Sequence, residues 1–284
     1  MENAYKETMF ILNKYNISAS KSLGQNFLIN DEVIEKIVES ANISNEDLII
    51  EIGPGLGTLT KRLLEKAKKV IAIELDKRMI SILQERFSLY DNFKLINDDI
   101  LKVNLNEIIQ NEKDIKEVKI VANLPYYITT PIIMKLLEDK LTLKSITVMV
   151  QKEVAKRLTS NPGSKQAGAI TYAVNYYCEP EEIVLVPNSS FIPEPEVESE
   201  VIKLNLRNNP PVKIRSEEVF FKLIKASFMQ RRKTLVNGIT NSGLMSKEEI
   251  KTLLKKVNLP ENVRGEVLTM QDFAKLTNEY ISIT

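Results

Sequence analysis

The sequence predicts an α/β fold: a mostly parallel, doubly wound sheet with an antiparallel pair at one edge, followed by a small all-helical domain. Three observations carry that expectation. Short apolar runs alternate with helical patterns over roughly the first 150 residues. A glycine-rich turn follows the first of those runs. Beyond Asn208-Asn209-Pro210-Pro211 there is no strand-like run at all.

The first apolar run, DLIIEIG at 47–53, reads as a buried strand, because it is short and ends at glycine. KVIAIEL (69–75), FKLIN (93–97), VKIVANL (118–124) and SITVMV (145–150) read the same way. Helical spacing fills the intervals at 58–67, 77–88 and 131–139, which is the pattern of parallel strands joined by crossover helices. Two further strands, near 180–187 and 198–207, follow one another with no long helix between them, and an antiparallel edge pair is expected there. The Asn-Asn-Pro-Pro stretch is a linker signal. Amphipathic helices are expected beyond it at 216–229, 246–257 and 270–281. The resulting division is a sheet domain over 1–207 and a helical domain over 208–284.

Composition narrows the chemistry. With 43% apolar and 27% charged residues, the chain has the make-up of an ordinary globular protein. No apolar run approaches the ~18 residues that span a bilayer, and the N-terminal MENAYKETMFILNKYN lacks the pattern of a secretory signal, so a cytoplasmic protein is expected. The single cysteine, Cys178 in AVNYYCE, forbids an internal disulfide and reads as a packing residue. With no histidine as well, no metal site is expected, and nucleophile schemes that pair serine or cysteine with an imidazole base are excluded. From residue 206 onward there are 14 Lys+Arg against 8 Asp+Glu, while the preceding part has 25 against 30. That asymmetry suggests a polyanionic partner for the C-terminal segment; the other reading is a helical bundle with solvated lysine faces. A monomer is expected, since there is no long apolar heptad and no spare strand edge.

The turn after the first strand reads Glu51-Ile52-Gly53-Pro54-Gly55-Leu56-Gly57-Thr58. Glycines there let the backbone approach a ligand and turn sharply into a helix. The spacing G-x-G-x-G differs from the G-x-G-x-x-G of dinucleotide sites, and Pro54 removes an N–H that a pyrophosphate would use. Glu74 ends the second strand, and a carboxylate there accepts hydrogen bonds from both hydroxyls of a ribose. The combination favours a ribose-bearing ligand without phosphates. S-adenosylmethionine meets that description, and Glu51 suits its positively charged methionine end. A glycine turn that only packs a helix on a strand is the bland reading. After the third strand, Asp99 is placed to accept from an adenine amine, with Asp98 competing for the role and a simple turn aspartate as the alternative.

The fourth strand ends in Asn123-Leu124-Pro125-Tyr126. An amide carbonyl, a backbone stripped of one donor and a flat aromatic face together suit a planar ring bearing an amino group. Transfer of a sulfonium methyl to such an amine requires alignment and local electrostatics rather than an imidazole base. A helix-entry turn is the structural alternative.

These stretches carry a resemblance. QNFL (25–28), EIGPGLG (51–57), IELD (73–76), NLPYY (123–127), FIPEPEVES (191–199) and FMQRRKTL (228–235) resemble, in order and over nearly the whole chain, the ribosomal RNA adenine dimethyltransferase family, most closely its small-subunit branch. The resemblance implies a Rossmann-like class I methyltransferase domain. It implies S-adenosylmethionine held by Asn26, Leu28, Gly53, Gly55, Glu74, Asp99 and Asn123. It implies Asn123 and Pro125 as acceptors for the adenine N6, with Leu124 completing the motif and the base between Tyr126 and Phe191. It implies transfer of four methyls to two adjacent adenosines near the 3′ end of 16S rRNA, within the small ribosomal subunit or its precursor. One departure is Ala167 in SKQAGAI, where relatives commonly carry an aromatic residue.

An adenine inside folded RNA must be splayed out to reach a pocket, and cations must hold the strand around it. Lys21, Lys152, Lys156, Arg157, Lys165 and the triplet Arg231-Arg232-Lys233 are the candidates for phosphate contact. Each is also readable as a solvated surface charge. The alternatives are a large-subunit 23S rRNA adenine methyltransferase of the macrolide-resistance type, a non-catalytic RNA-binding assembly factor, and a dehydrogenase.

Overall fold

The computed structural model describes residues 3–20, 23–230 and 233–283. The chain forms two compact units: Met1–Ala155 with Pro180–Leu206, and Lys156–Glu179 with Arg207–Thr284.

In chain order the first unit contains α1 (Ala4–Lys14), β1 (Phe27–Leu28), α2 (Asp31–Ala41), β2 (Leu48–Ile52), α3 (Thr58–Leu64), β3 (Lys69–Glu74), α4 (Lys77–Arg86), β4 (Phe93–Asn97), α5 (Leu105–Gln110), β5 (Val118–Asn123), α6 (Thr129–Glu138) and β6 (Ser145–Gln151). The chain then leaves through α7 (Lys152–Thr159) and α8 (Ala169–Tyr177), and returns along β7 (Cys178–Val186), β8 (Phe191–Ile192) and β9 (Ser199–Leu206). The seven-stranded sheet has the order β4-β3-β2-β5-β6-β9-β7. β2, β3, β4, β5 and β6 run parallel, and β9 lies antiparallel to β6. The edge pair expected from sequence is therefore present, with β9 inside and β7 outermost. The seven-stranded order and the parallel core give a Rossmann-like fold.

Why these segments take these places follows from burial. Every residue of β2 is buried, as a central strand covered on both faces requires. β3 to β4 extends the sheet to one side of β2, and β5 pairs on the other. That reversal opens a crevice outside the carboxyl ends of β2 and β5, where open α/β sheets bind ligands. The structure adds helices beyond those expected from sequence, α2 foremost. Its start is capped by the Asn30 side chain, which accepts from the Glu32 and Val33 amides. Its buried face, Val33, Ile34, Ile37, Val38 and Ala41, joins the core of this unit. Arg86 of α4 ties α1 in place by binding Glu7 and the Leu56 carbonyl. A two-residue antiparallel ribbon pairs Phe27 with Ile192 and Leu28 with Phe191, joining two motifs far apart in sequence.

The helical unit contains α9 (Glu217–Phe228), α10 (Leu235–Asn241), α11 (Lys247–Lys256) and α12 (Met270–Ile283). It also takes in α8, so the boundary expected near 207 marks only the last of three chain crossings. The reason is aromatic packing. Tyr172 of α8 meets Phe273 edge-on at 5.0 Å, and Tyr176 meets Phe220 at 5.5 Å. The Tyr172 hydroxyl donates to the Leu268 carbonyl at 2.6 Å. Ala167 is fully buried in this same core, so the departing position is a packing position of the helical unit. Cys178 is fully buried too, and burial pushes its thiol up to about 12, with the Arg207 guanidinium acting the other way. Among the described residues no helix is long and apolar enough to cross a membrane.

Candidate active site

The crevice at the carboxyl ends of β2, β3 and β5 is an open cleft containing about 1100 Å³ of empty space. Its walls come from four places that the sequence pointed to: the segment from Leu23 to Leu28, the glycine turn, the Glu74 strand end, and Asn123 to Ile128. Asp98 and Asp99 complete it.

At one end lie two buried carboxylates with different surroundings. Glu74 has both oxygens oriented by backbone: Oε1 accepts from the Asp76 amide at 2.8 Å and Oε2 from the Gly55 amide at 3.2 Å. Burial raises its carboxyl above the usual range while those amides work against the rise. Glu51 is 1% exposed, and its Oε2 has no hydrogen-bond partner among the described residues. Burial pushes this carboxyl up to about 8, with the Thr60 hydroxyl opposing and Glu74 adding to the rise. An unpartnered buried carboxylate favours a cation beside it.

The glycine turn divides its labour. Gly57 holds φ +83°, and a Cβ there would lie 2.6 Å from Phe87 and 2.9 Å from Leu83, so packing of α3 against α4 requires glycine. Gly53 and Gly55 line the cleft instead. The Gly53 amide donates to the Ile73 carbonyl at 2.9 Å, the Gly57 amide to the Pro54 carbonyl at 2.9 Å, and the Gly55 amide goes to Glu74. With Pro54 lacking an N–H, these positions offer no nest of free amides for a pyrophosphate. A phosphate-free cationic nucleoside such as S-adenosylmethionine fits this donor set; a dinucleotide does not.

Asp98 and Asp99 both reach the cleft, and local turns occupy part of each. Asp98 Oδ1 accepts from the Asp99 amide at 2.7 Å, and Asp99 Oδ1 accepts from the Leu101 amide at 3.0 Å. Asp99 is the less exposed of the two.

At the other end, Asn123 donates its Nδ2 to the Asn26 carbonyl at 3.2 Å. The amide is thereby oriented with its carbonyl oxygen left to accept. Leu124 is 1% exposed and anchored through its own amide to the Met149 carbonyl at 3.1 Å. The Pro125 carbonyl already accepts from the Thr129 hydroxyl at 3.0 Å and the Ile128 amide at 3.3 Å. Two donors already occupy this carbonyl, so a base amine would have to compete with them for it. Tyr126 sits on a short 3₁₀ turn, its hydroxyl 2.6 Å from the Ser199 hydroxyl. Burial raises its phenol above the usual value, against the Ser199 bond.

Asn26 and Leu28 line the cleft as the resemblance implies, but Phe191 does not. Phe191 is 1% exposed, fixed opposite Leu28 by the β1–β8 ribbon and packed in the core with Val186 and Val201. The second ring of the implied sandwich is therefore not part of the cleft wall. Gln25 has a role that no local pattern signals. Its Nε2 donates to Asp76 Oδ2 at 3.0 Å, and Arg78 donates to the same oxygen at 2.6 Å, which fastens the Leu23–Leu28 wall to the start of α4.

Of the proposed RNA contacts, Lys21, Arg231 and Arg232 lie outside the described residues. Lys152 is ion-paired with Glu198 at 2.7 Å. Arg157 is half-buried, while Lys156, Lys165 and Lys233 are exposed. Among the described residues no cluster of three or more metal-ligating side chains occurs.

Comparison with known proteins agrees with this geometry. A family model described as ribosomal RNA adenine dimethylase matches residues 16–282. A ribosomal RNA small subunit methyltransferase A from Lachnoclostridium phytofermentans is 51% identical over 276 residues, covering 96% of this chain and 95% of that protein. A protein of the same name from Alkaliphilus metalliredigens is 49% identical over 275 residues, with 96% of each covered. The crystal structure of a dimethyladenosine transferase from Plasmodium falciparum matches with a TM-score of 0.75 at 28% identity, covering 90% of this chain and 97% of that one. A cleft with a paired-carboxylate end and an Asn-Leu-Pro-Tyr end, on a chain matched across almost its whole length, leaves one conclusion: this protein belongs to the ribosomal RNA adenine dimethylase family.

Proposed function

We propose that the protein transfers methyl groups from S-adenosylmethionine to N6 of two adjacent adenosines near the 3′ end of 16S rRNA, giving N6,N6-dimethyladenosine during small-subunit biogenesis in the cytoplasm. The observation that carries the reading is the orientation of Asn123, whose Nδ2 is held by the Asn26 carbonyl and whose oxygen is left to accept.

When bound, S-adenosylmethionine supplies an electrophilic methyl on a sulfonium that departs neutral. The chain's own residues do the rest. Glu74, already oriented by two amides, accepts from the ribose hydroxyls, and Asp99, lying nearer the interior than Asp98, accepts from the cofactor's adenine amine. Glu51 compensates the positive charge. Asn123 Oδ1 accepts one N6–H of the target base. The Leu124 carbonyl accepts the other, in place of the already occupied Pro125 carbonyl. The target ring rests on Tyr126, which Ser199 holds in place. Fixing the amine hydrogens favours the pyramidal nitrogen that attack requires, so alignment supplies most of the acceleration; once the N–C bond has formed and the C–S bond has broken, the cationic N6 loses one proton to water. The helical unit, with its surplus of cations, is assigned to RNA or ribosome contact, with Arg231, Arg232, Lys233 and Lys165 its leading phosphate ligands. The working form is a monomer.

The test uses tritiated S-adenosylmethionine with small and large ribosomal subunits from cells lacking the modification, and mass spectrometry of the nucleosides. Dimethyladenosine confined to the small subunit is expected. Label confined to the large subunit indicates a 23S enzyme, and cofactor binding without label in either indicates an assembly factor.

A further inference from the structure

The cleft's mouth carries a second tyrosine that the reaction as described does not use. Tyr127 lines the cleft beside Tyr126 but is 58% exposed. Both residues lie on the same 3₁₀ turn, Tyr126–Ile128. With about three residues per turn, consecutive side chains diverge by roughly 120°. Tyr126 accordingly reaches inward to Ser199, and Tyr127 outward to the opposite wall.

That wall fits the ring closely. Gly24 holds φ +58°, and a Cβ built there would come within 3.2 Å of Tyr127 Cδ1 and 3.7 Å of Cε1, one edge of the ring. The absence of a side chain at position 24 thus leaves room for the phenol to lie against the wall while most of its surface stays open. A lone exposed aromatic is ordinary on a protein surface. This one stands at the entrance of a pocket that takes a splayed nucleotide, and single-stranded RNA is held by bases stacked on aromatic side chains.

We propose that Tyr127 is a second nucleobase subsite, on which the adenine adjacent to the target stacks while the target occupies the pocket. The inference rests on the function proposed above, where the substrate presents two neighbouring adenosines. Because the two tyrosines point apart, each base of the pair has its own ring, and the bases must unstack from one another. Tyr127 then serves whichever adenosine is not being methylated.

The test compares wild-type enzyme, Tyr127→Ala, Tyr127→Leu and Tyr127→Trp on unmethylated small subunits, and on reconstituted small subunits whose neighbouring adenosine is replaced by an abasic nucleotide. The Ala and Leu variants are expected to lose about tenfold in kcat/KM on natural subunits, the scale of one base–aromatic stack. Tyr127→Trp is expected to retain activity, and cofactor Kd is expected to stay constant throughout. On substituted subunits wild type is expected to fall by a similar factor, and Tyr127→Ala to fall no further. An equal Ala penalty on both substrates, a shift in cofactor Kd, or full activity of Tyr127→Leu would assign the ring to packing alone and overturn the proposal. Wild-type enzyme inactive on both kinds of subunit would defeat the target reading itself, and the subsite with it.

Discussion

The two ends of the cleft are built on different principles. The β2–β3 end is acidic and desolvated, with Glu51 and Glu74 both pushed upward by burial. The β5 end is neutral and already hydrogen-bonded, with Asn123 held by Asn26, Pro125 by Thr129 and Tyr126 by Ser199. The difference follows the chemistry each end performs. Holding a cationic cofactor calls for a buried carboxyl that ionises as the cation arrives. Methylating a neutral amine with a leaving group that departs neutral calls for fixed acceptors and no proton relay.

The contrast breaks most visibly at Asn123. Asn123→Ala removes the oriented acceptor and is expected to lower the single-turnover methyl-transfer rate at saturating cofactor by about 10²–10³-fold, the usual cost of losing one preorganised polar partner. Rapid-quench measurement on small subunits checks it; a loss below threefold would make the amide a bystander.

A smaller effect sharpens the charged end. With a carboxyl pushed up to about 8, ligand-free Glu51 is mostly protonated at pH 7. A cation favours its ionised form, so binding releases a proton. Affinity for S-adenosylmethionine is expected to rise with pH, by up to about tenfold per unit, and to level off above about 8. The same shift acts on folding with opposite sense: the native ligand-free protein holds this proton more tightly than the unfolded chain does. Its contribution to stability is therefore fully present below about 4.5 and is lost as pH rises toward about 8. Calorimetric titration from pH 6 to 9 should show the affinity trend, and Glu51→Gln should flatten it.

The smallest expected effect concerns the basic triplet. Arg231→Ala combined with Arg232→Ala is expected to weaken RNA binding and to reduce its log–log salt slope by up to about 1.4, roughly 0.7 for each phosphate no longer neutralised. Cofactor affinity should not move. An unchanged slope would return both residues to the solvated surface.

The cleft's parts were legible in sequence to the extent that they are local. Glu74, the glycine turn and Asn123 follow strand ends, and a parallel sheet brings such ends together whatever the rest of the chain does. What was not legible depends on pairing at a distance. Phe191 is buried and outside the cleft lining, and its pairing with Leu28 joins segments far apart in sequence that no local pattern connects. The competition for the Pro125 carbonyl depends on the geometry of one 3₁₀ turn, where Thr129 closes back on it. The assignment of α8 to the helical unit rests on rings at Tyr172 and Tyr176 that are equally apolar in either unit. α2 was missed for a different reason: its signals, the Asn30 cap and an apolar stripe of helical spacing, are local, and the sequence reading passed over them.

The neutral end is held to work by alignment, without a proton-transfer residue. The most direct measurement of that is the pH dependence of the single-turnover methyl-transfer rate on small subunits, with S-adenosylmethionine saturating at every pH. A flat profile between pH 6 and 9 is expected, because the chain has no histidine and burial moves Tyr126 further above that range. A sigmoidal or bell-shaped profile with an apparent pKa near 7 would contradict it and place an acid–base group in the chemical step.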